Sequence, residues 1–206
     1  MSDGRNAQGY YSQNDEEKYI LEWTPEAGRL LDIGAWWPTN LSNSRALIER
    51  GWSAVLVEPS PGPMRVLLEE YGGNERVTLI QGACVPSARI DDPFLRMDVT
   101  DYPVSTSDHR VYSIWKNDPN TKYLGSLHVV KFEYGYLQHR FGVFDFINID
   151  AEGHSVELGL LAMDQYPSPA CISIEHDGEH ERLRAAAIAC GYTKFHLTAE
   201  NLVAAR

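Results

Sequence analysis

Few cysteines, few basic residues and no long apolar run characterise this sequence. The three cysteines among 206 residues, Cys84, Cys171 and Cys190, lack the spacing of a metal site. Two of them lie in apolar runs, so we expect reduced core residues in a cytoplasmic protein rather than disulfides. No apolar run approaches the roughly 18 residues that a membrane-spanning helix needs. The polar, acidic N-terminal stretch is unlike a signal peptide.

The charge balance disfavours several classes of partner. The chain has 18 lysines and arginines against 29 aspartates and glutamates, which gives a formal net charge of −11. Nucleic acids and anionic membranes require a basic surface, so we expect neither as a partner. With 43% hydrophobic residues, the chain is expected to be one soluble domain with a sizeable core. The sequence leaves the oligomeric state open.

Residues 30–61 carry the first functional pattern. An apolar run ends at Gly34 and Ala35, a helical pattern follows, and a second apolar run ends at Glu58. This order predicts a strand, a turn, a helix and a second strand that ends in a carboxylate. Such units hold adenine nucleosides, because small residues let the backbone approach the ligand and the carboxylate accepts hydrogen bonds from the ribose hydroxyls.

The remaining periodicity predicts an α/β fold over residues 1–206: a doubly wound, mostly parallel, seven-stranded sheet with one antiparallel strand at its edge. Strands are predicted at 29–34, 53–58, 77–81, 144–150 and 170–175, helices at 61–71, 155–163 and 181–190, and a hairpin around Glu200 and Asn201. Residues 1–25 form an N-terminal helical segment. Residues 84–143 break the rhythm and predict an irregular insertion between the third and fourth strands, placed to act as a substrate lid.

Three of these strands end in acidic residues: the first in Glu58, the second in Asp150 with Glu152 just beyond it, and the third in Glu175 with His176 and Asp177 just beyond it. The last two groups should converge, because the carboxyl ends of neighbouring parallel strands meet at one edge of the sheet. Converging carboxylates bind a hard cation such as Mg²⁺, or they orient a histidine that acts as a general base. Alternatively, the acids only stabilise the N-termini of the following helices.

The order and spacing of the motifs resemble the FkbM-like family of S-adenosylmethionine-dependent methyltransferases. The segments YSQNDEEKYIL, LLDIGAWW and VLVEPSP are similar to the family's first helix, its Asp-x-Gly-Ala loop and its Val-Glu-Pro strand end. FDFINIDAEGHSVEL is similar to its Ile-Asp-x-Glu-Gly signature, and GYTKFHLTAENLVAAR to its terminal hairpin. The resemblance runs nearly end to end and implies a Rossmann-like methyltransferase fold.

The resemblance also implies roles for particular residues. S-adenosylmethionine would contact residues along three strand ends: Asp32, Gly34 and Ala35 at methionine, Glu58 at ribose, and Gly82 and Ala83 near adenine. Asp150 would face the reacting methyl group. By analogy with metal-using methyltransferases, the catalytic residues and ligands of a possible Mg²⁺ would be Asp150, Glu175 and His176. The implied reaction is O-methylation of a sugar or other small-molecule hydroxyl, which needs alignment with the methyl group and removal of a proton.

The first loop departs from the family's usual pattern, because Trp36 and Trp37 stand where a second glycine is common. Either both rings pack with Trp23 under the N-terminal helix, or one covers the cofactor or stacks on a sugar. Glu152 and His154 are further candidates for contact with the acceptor, although His154 alternatively only opens a helix.

Two other functions remain to be weighed. A nicotinamide-dependent oxidoreductase shares the first unit, and Tyr112 with Lys116 matches the Tyr-x-x-x-Lys pair of short-chain dehydrogenases. We disfavour it because that segment is predicted to be β-like whereas the pair needs a helix, and because the first loop lacks the glycines that a pyrophosphate requires. The second alternative is a non-catalytic cofactor-binding protein on the same fold.

Overall fold

The computed structural model describes residues 4–87, 92–101 and 105–206. Its strands, in chain order, are β1 (Arg29–Ile33), β2 (Ser53–Glu58), β3 (Val77–Gln81), β4 (Ala83–Val85), β5 (Phe94–Thr100), β6 (Tyr123–Glu133), β7 (Phe146–Ile149), β8 (Cys171–Glu175), β9 (Lys194–Leu197) and β10 (Asn201–Ala205). Its helices are α1 (Glu16–Trp23), α2 (Arg45–Glu49), α3 (Pro61–Tyr71), α4 (His109–Trp115), α5 (Tyr134–Phe141), α6 (Ser155–Asp164) and α7 (His180–Ala189).

The central sheet confirms the predicted α/β fold with a mostly parallel, seven-stranded sheet. Its strand order is β3-β2-β1-β7-β8-β10-β9. Alternate residues of each central strand face opposite layers: Leu30 packs in a cluster with residues of α1, α2 and α3, whereas Leu31 packs in one with residues of α5, α6 and α7. Because helices cover both faces, the inner strands are apolar along nearly their whole length.

The sequence predicted that the antiparallel strand lies at the edge of the sheet, and this prediction was wrong. β10 pairs antiparallel with β8 on one side and with β9 on the other. The last strand of the hairpin therefore lies inside the sheet, and the strand that precedes it forms the edge. The apolar pattern of β10 indicates that this strand is buried, but it does not indicate which neighbouring strand forms the edge of the sheet.

The predicted N-terminal helix is present as α1. Its first residues and Tyr19 contact the terminal hairpin that β9 and β10 form. Nε2 of His196 lies 2.7 Å from a carboxylate oxygen of Asp15, and the ring of Tyr19 stacks on His196 with centroids 3.8 Å apart. The Thr198 hydroxyl donates a hydrogen bond to Glu16 at 2.8 Å. These contacts join segments about 180 residues apart in the chain.

The insertion forms a second, three-stranded sheet of order β4-β6-β5, with α4 and α5 beside it. The segments FLRMDV and HVVKFEY and the stretch from Tyr136 to Arg140, whose sequences predict two short strands and a short helix, are found in β5, β6 and α5. The β-like prediction for the segment at Tyr112 was wrong: α4 is a helix, with a hydrogen bond from Lys116 N to Tyr112 O of 2.9 Å. Its valine, tyrosine, isoleucine and tryptophan favour strands only as a weak local preference. Parts of the predicted lid, 88–91 and 102–104, lie outside the described residues.

Two of the three cysteines lie in the buried core. All three cysteines are free; Cys84 and Cys171 are buried, and burial raises the pKa of each of these two thiols to about 12. Cys190 is partly exposed. Within the described ranges, every helix is too short or too polar to cross a lipid bilayer.

Candidate functional site

A cavity that is open to solvent lies at the carboxyl ends of β1, β2 and β7. The insertion contributes Leu95, Met97 and residues 105–107 to its wall. The predicted lid segment is thus part of the cavity, at the sheet edge where ligands of open α/β folds bind.

Gly34 brings the first loop against the end of β7. Its φ is +85°, and a Cβ on this residue would lie 1.7 Å from the carbonyl oxygen of Asp150. Its amide and that of Ala35 both donate to the carbonyl of Val57, at 2.9 and 3.1 Å. Only glycine fits this backbone, and the tight turn leaves Gly34 as part of the cavity wall.

Glu58 lines the cavity and holds two loops together. Its carboxylate accepts hydrogen bonds from the amides of Trp36 at 3.0 Å and Ser60 at 2.6 Å. Burial raises the pKa of Glu58 to about 7, although these amides favour the charged form. Each carboxylate oxygen has a second lone pair, so Glu58 can still accept hydrogen bonds from a diol in the cavity.

Asp32, which the resemblance places at methionine, is buried and is not among the residues that line the cavity. Its carboxylate accepts a hydrogen bond from Asn148 at 2.8 Å, and Asn148 in turn accepts one from Asn43 at 2.9 Å. Burial raises the pKa of Asp32. Ala35 is likewise buried and outside the lining. Gly82 and Ala83 do line the cavity.

Three carboxylates converge beyond the ends of β7 and β8. One oxygen each of Asp150, Glu152 and Glu175 lies within 4.8 Å of the others, and the Ser155 hydroxyl donates to Glu175 at 2.9 Å. Asp150 opens onto the cavity, yet desolvation by surrounding atoms and the nearby charge of Glu152 raise its pKa to about 8. Desolvation and like charges also raise the pKa of Glu175. The cluster therefore favours a cationic ligand.

His176 is not part of this cluster, and Glu152 takes the place predicted for it. Its Nδ1 accepts a hydrogen bond from the amide of Gly178 at 3.0 Å, and its Nε2 lies 3.5 Å from the carbonyl oxygen of Thr198. Both ring nitrogens are thereby directed at the backbone of its own turn and of the terminal hairpin. The sequence correctly predicted that His176 lies at the end of β8, but it did not predict the direction of the His176 side chain.

The turn after β7 places His154 in the cavity wall. Nε2 of His154 lies 3.2 Å from the hydroxyl of Ser107, and desolvation lowers the pKa of the imidazole. The sequence prediction missed the serines of segment 105–107 as lining residues. Their signal was weak, since hydroxyl-rich stretches are common in loops of any kind.

Trp36 lines the cavity and has a φ of +47°, whereas Trp37 is 38% exposed. Neither tryptophan belongs to the buried clusters that include the N-terminal helix, so the interpretation of both as core residues beneath that helix was wrong. Tyr112 and Lys116 do not line the cavity, although a helix carries Tyr112. The dehydrogenase pair is therefore not at this site.

No protein-family model matches the sequence, and no curated protein is found as a relative. Solved structures with a similar fold include a TehB-like S-adenosylmethionine-dependent methyltransferase from Corynebacterium glutamicum, at 12% identity and TM-score 0.44, covering 94% of this chain and 86% of that one. A putative S-adenosylmethionine-dependent methyltransferase from Methanococcus maripaludis has 13% identity and TM-score 0.47, covering 92% and 81%. Aeropyrum pernix fibrillarin, with natively bound S-adenosylmethionine, has 12% identity and TM-score 0.42, covering 87% and 66%. Likeness at these identities concerns the fold alone.

Proposed function

We propose that this protein is an S-adenosylmethionine-dependent methyltransferase of the FkbM-like type that methylates a hydroxyl of a sugar or another small molecule. The acidic lining of the cavity carries the proposal. Its wall contains the acids Glu58, Asp150 and Glu152, and no lysine or arginine among the described lining residues. S-adenosylmethionine has a sulfonium and an ammonium group and no phosphate, so it complements such a wall. A dinucleotide would bring its phosphates against carboxylates.

The lining residues suggest how the cofactor would lie. Glu58 would accept hydrogen bonds from the ribose hydroxyls, while Val57 and Ala83 would supply apolar contacts for the adenine. Gly34 would let the backbone approach the methionine part, and the cationic centre would lie toward Asp150. This pose uses the roles that the resemblance implies for Gly34, Glu58, Ala83 and Asp150, and it leaves Asp32 as a support for the loop.

The chain's own groups would position the acceptor and receive its proton. Bound S-adenosylmethionine supplies an electrophilic methyl group. The acceptor hydroxyl would lose its proton as it is methylated, and Asp150 is well placed in the cavity wall to receive that proton. Alignment of the two reacting atoms supplies much of the rate enhancement.

Asp150, Glu152 and Glu175 also present the oxygen donors that Mg²⁺ prefers. If the reaction uses this ion, exhaustive chelation should abolish methyl transfer and added Mg²⁺ should restore it. Full activity in the chelated enzyme would exclude the metal and leave the carboxylates to act alone.

Ligand binding separates the proposed function from its alternatives. We expect S-adenosylhomocysteine to raise the melting temperature of the protein and NAD to leave it unchanged. Stabilisation by NAD alone would favour the oxidoreductase. Transfer of labelled methyl from S-adenosylmethionine to a panel of glycans and small polyols then tests for an enzyme. Cofactor binding with no transfer to any acceptor would favour the non-catalytic alternative.

Replacing Glu58 with alanine should weaken binding of S-adenosylhomocysteine about 10- to 100-fold, because two hydrogen bonds to a charged group are lost. Isothermal titration calorimetry measures the effect. Glu69→Ala is the matched control, since Glu69 is an exposed acid whose carboxylate pairs with Arg65 on the surface of α3. Equal affinities for the Glu58→Ala variant and the wild type would remove Glu58 from the proposed cofactor site.

The raised pKa of Glu58 predicts two pH effects of opposite sign. Below about pH 7 the folded protein binds a proton at Glu58, so affinity for S-adenosylhomocysteine should fall as the pH is lowered through this value. Stability of the free protein should instead fall as the pH rises from 4.5 toward 7, because the folded state binds more protons than the unfolded state. Titrations and urea melts should show both slopes reduced in Glu58→Gln, and unchanged slopes would contradict the assignment.

A further inference from the structure

The turn after β7 adopts a backbone conformation that is unfavourable for the glutamate at position 152. Glu152 has a φ of +27° and Gly153 a φ of +88°. A residue other than glycine keeps such a conformation only where surrounding groups hold it. This turn presents Glu152 and His154 to the cavity, so whatever holds the turn also sets the position of these two side chains.

The insertion supplies that support through Thr106. The Thr106 hydroxyl donates a hydrogen bond to the carbonyl of Glu152 at 3.0 Å and accepts one from the amide of Asp108 at 2.9 Å. Thr106 is 2% exposed, and its backbone exchanges two hydrogen bonds with Asp98 of β5, at 3.0 and 2.9 Å. The backbone of Thr106 therefore binds the insertion sheet, and its hydroxyl binds the turn.

Two further contacts accompany this hydrogen bond. The hydroxyl of Ser107 lies 3.2 Å from Nε2 of His154. Gly153 packs so closely on the insertion that a Cβ there would lie 2.8 Å from the Cβ of Asp108. Three successive residues of the insertion thus meet three successive residues of the turn, although 46 positions separate Thr106 from Glu152.

We propose that Thr106 is a positioning residue for the methyl-transfer site, whose hydroxyl holds the Glu152–His154 turn in place against the cavity. The insertion then has a second role beside forming part of the wall: it sets the geometry of residues that belong to the central fold. The catalytic consequence rests on the proposed function, whereas the support of the turn does not.

Hydrogen exchange in the free protein tests the support of the turn. Thr106→Val removes the hydroxyl and nearly conserves the volume, so amides 151–155 should exchange about 10-fold faster while α3 and α7 keep their protection. Thr106→Ser should restore slow exchange. Ser126→Ala is the matched control, because Ser126 belongs to the same insertion and bonds Asp98 and Tyr123 instead of the turn. Unchanged exchange at 151–155 in Thr106→Val would overturn the proposal.

Kinetics test the consequence for catalysis. With an acceptor identified by labelled methyl transfer, Thr106→Val should lower kcat about 10-fold or more while the Kd of S-adenosylhomocysteine stays within about 2-fold. Thr106→Ser should recover most of kcat. An unchanged kcat with a lower melting temperature would show a merely structural role and overturn the positioning claim. If the wild type binds no S-adenosylhomocysteine, the proposed function fails, and the exchange experiment still decides the role of Thr106 in the turn.

Discussion

Gly34→Ala should abolish binding of S-adenosylhomocysteine and destabilise the protein by at least about 3 kcal/mol. The added Cβ would lie 1.7 Å from the carbonyl oxygen of Asp150, and the φ of +85° is itself unfavourable for alanine. The neighbour is backbone at the end of a central strand, so it cannot rotate away as a side chain would. Relief requires separating β1 from β7 at the edge where the ligand would bind.

Urea denaturation and calorimetric titration measure the two effects of Gly34→Ala. Gly62→Ala is the control, because Gly62 lies in α3, has no positive φ, and leaves open space around an added Cβ. Alanine should be neutral or mildly stabilising there. If Gly34→Ala matched the control in stability and affinity, the close contact between the first loop and Asp150 would be wrong.

Asp150→Asn should lower methyl transfer by about 100-fold or more, because the amide cannot accept the proton of the acceptor hydroxyl or carry a charge beside the methyl group. The same change should increase stability, since it removes one of three carboxylates whose oxygens lie within 4.8 Å of one another. Activity and stability would then change in opposite directions, as expected where residues needed for activity reduce the stability of the folded protein.

Initial rates and urea melts of Asp150→Asn give both quantities. Glu157→Gln is a suitable control, because Glu157 is an exposed acid on α6 that pairs with Arg182 outside the cavity. Full activity in Asp150→Asn together with loss in Glu152→Gln would transfer the proton-accepting role to Glu152. Full activity in both variants would show that neither carboxylate takes part in the reaction.

Much of the fold could be predicted from the sequence because its signals are local. The apolar runs of β1, β2 and β7 and the helix of α3 are visible in the order of the residues alone. The helix α4 could not be predicted, because its strand-favouring side chains outweigh any helical period over so short a segment. The inner position of β10 is likewise a matter of pairing between strands, which no local pattern encodes.

For the candidate site, the sequence predicted which residues lie at the sheet edge better than it predicted the directions of their side chains. Glu58 and Glu175 end β2 and β8, and Asp150 follows β7, so all three lie at the expected edge, as parallel topology requires. Whether a side chain turns into the cavity depends on the first residues of each loop, where His176 turns toward the backbone and Glu152 joins the acids. The support that Thr106 gives to this turn depends on tertiary contact between distant segments, so its position in the sequence gives no sign of it.

The inner position of β10 has a consequence for how the protein folds during synthesis. β9 emerges from the ribosome before β10, yet among the residues that the structure describes its sole partner in the central sheet is β10. Until Asn201–Ala205 are made, β8 keeps an unpaired edge and α1 lacks the hairpin to which Asp15 and Glu16 bind. We therefore expect a nascent chain with an exposed sheet edge, which is prone to pairing with other chains. Closure of the sheet depends on contacts of large sequence separation and should be among the slow steps of folding.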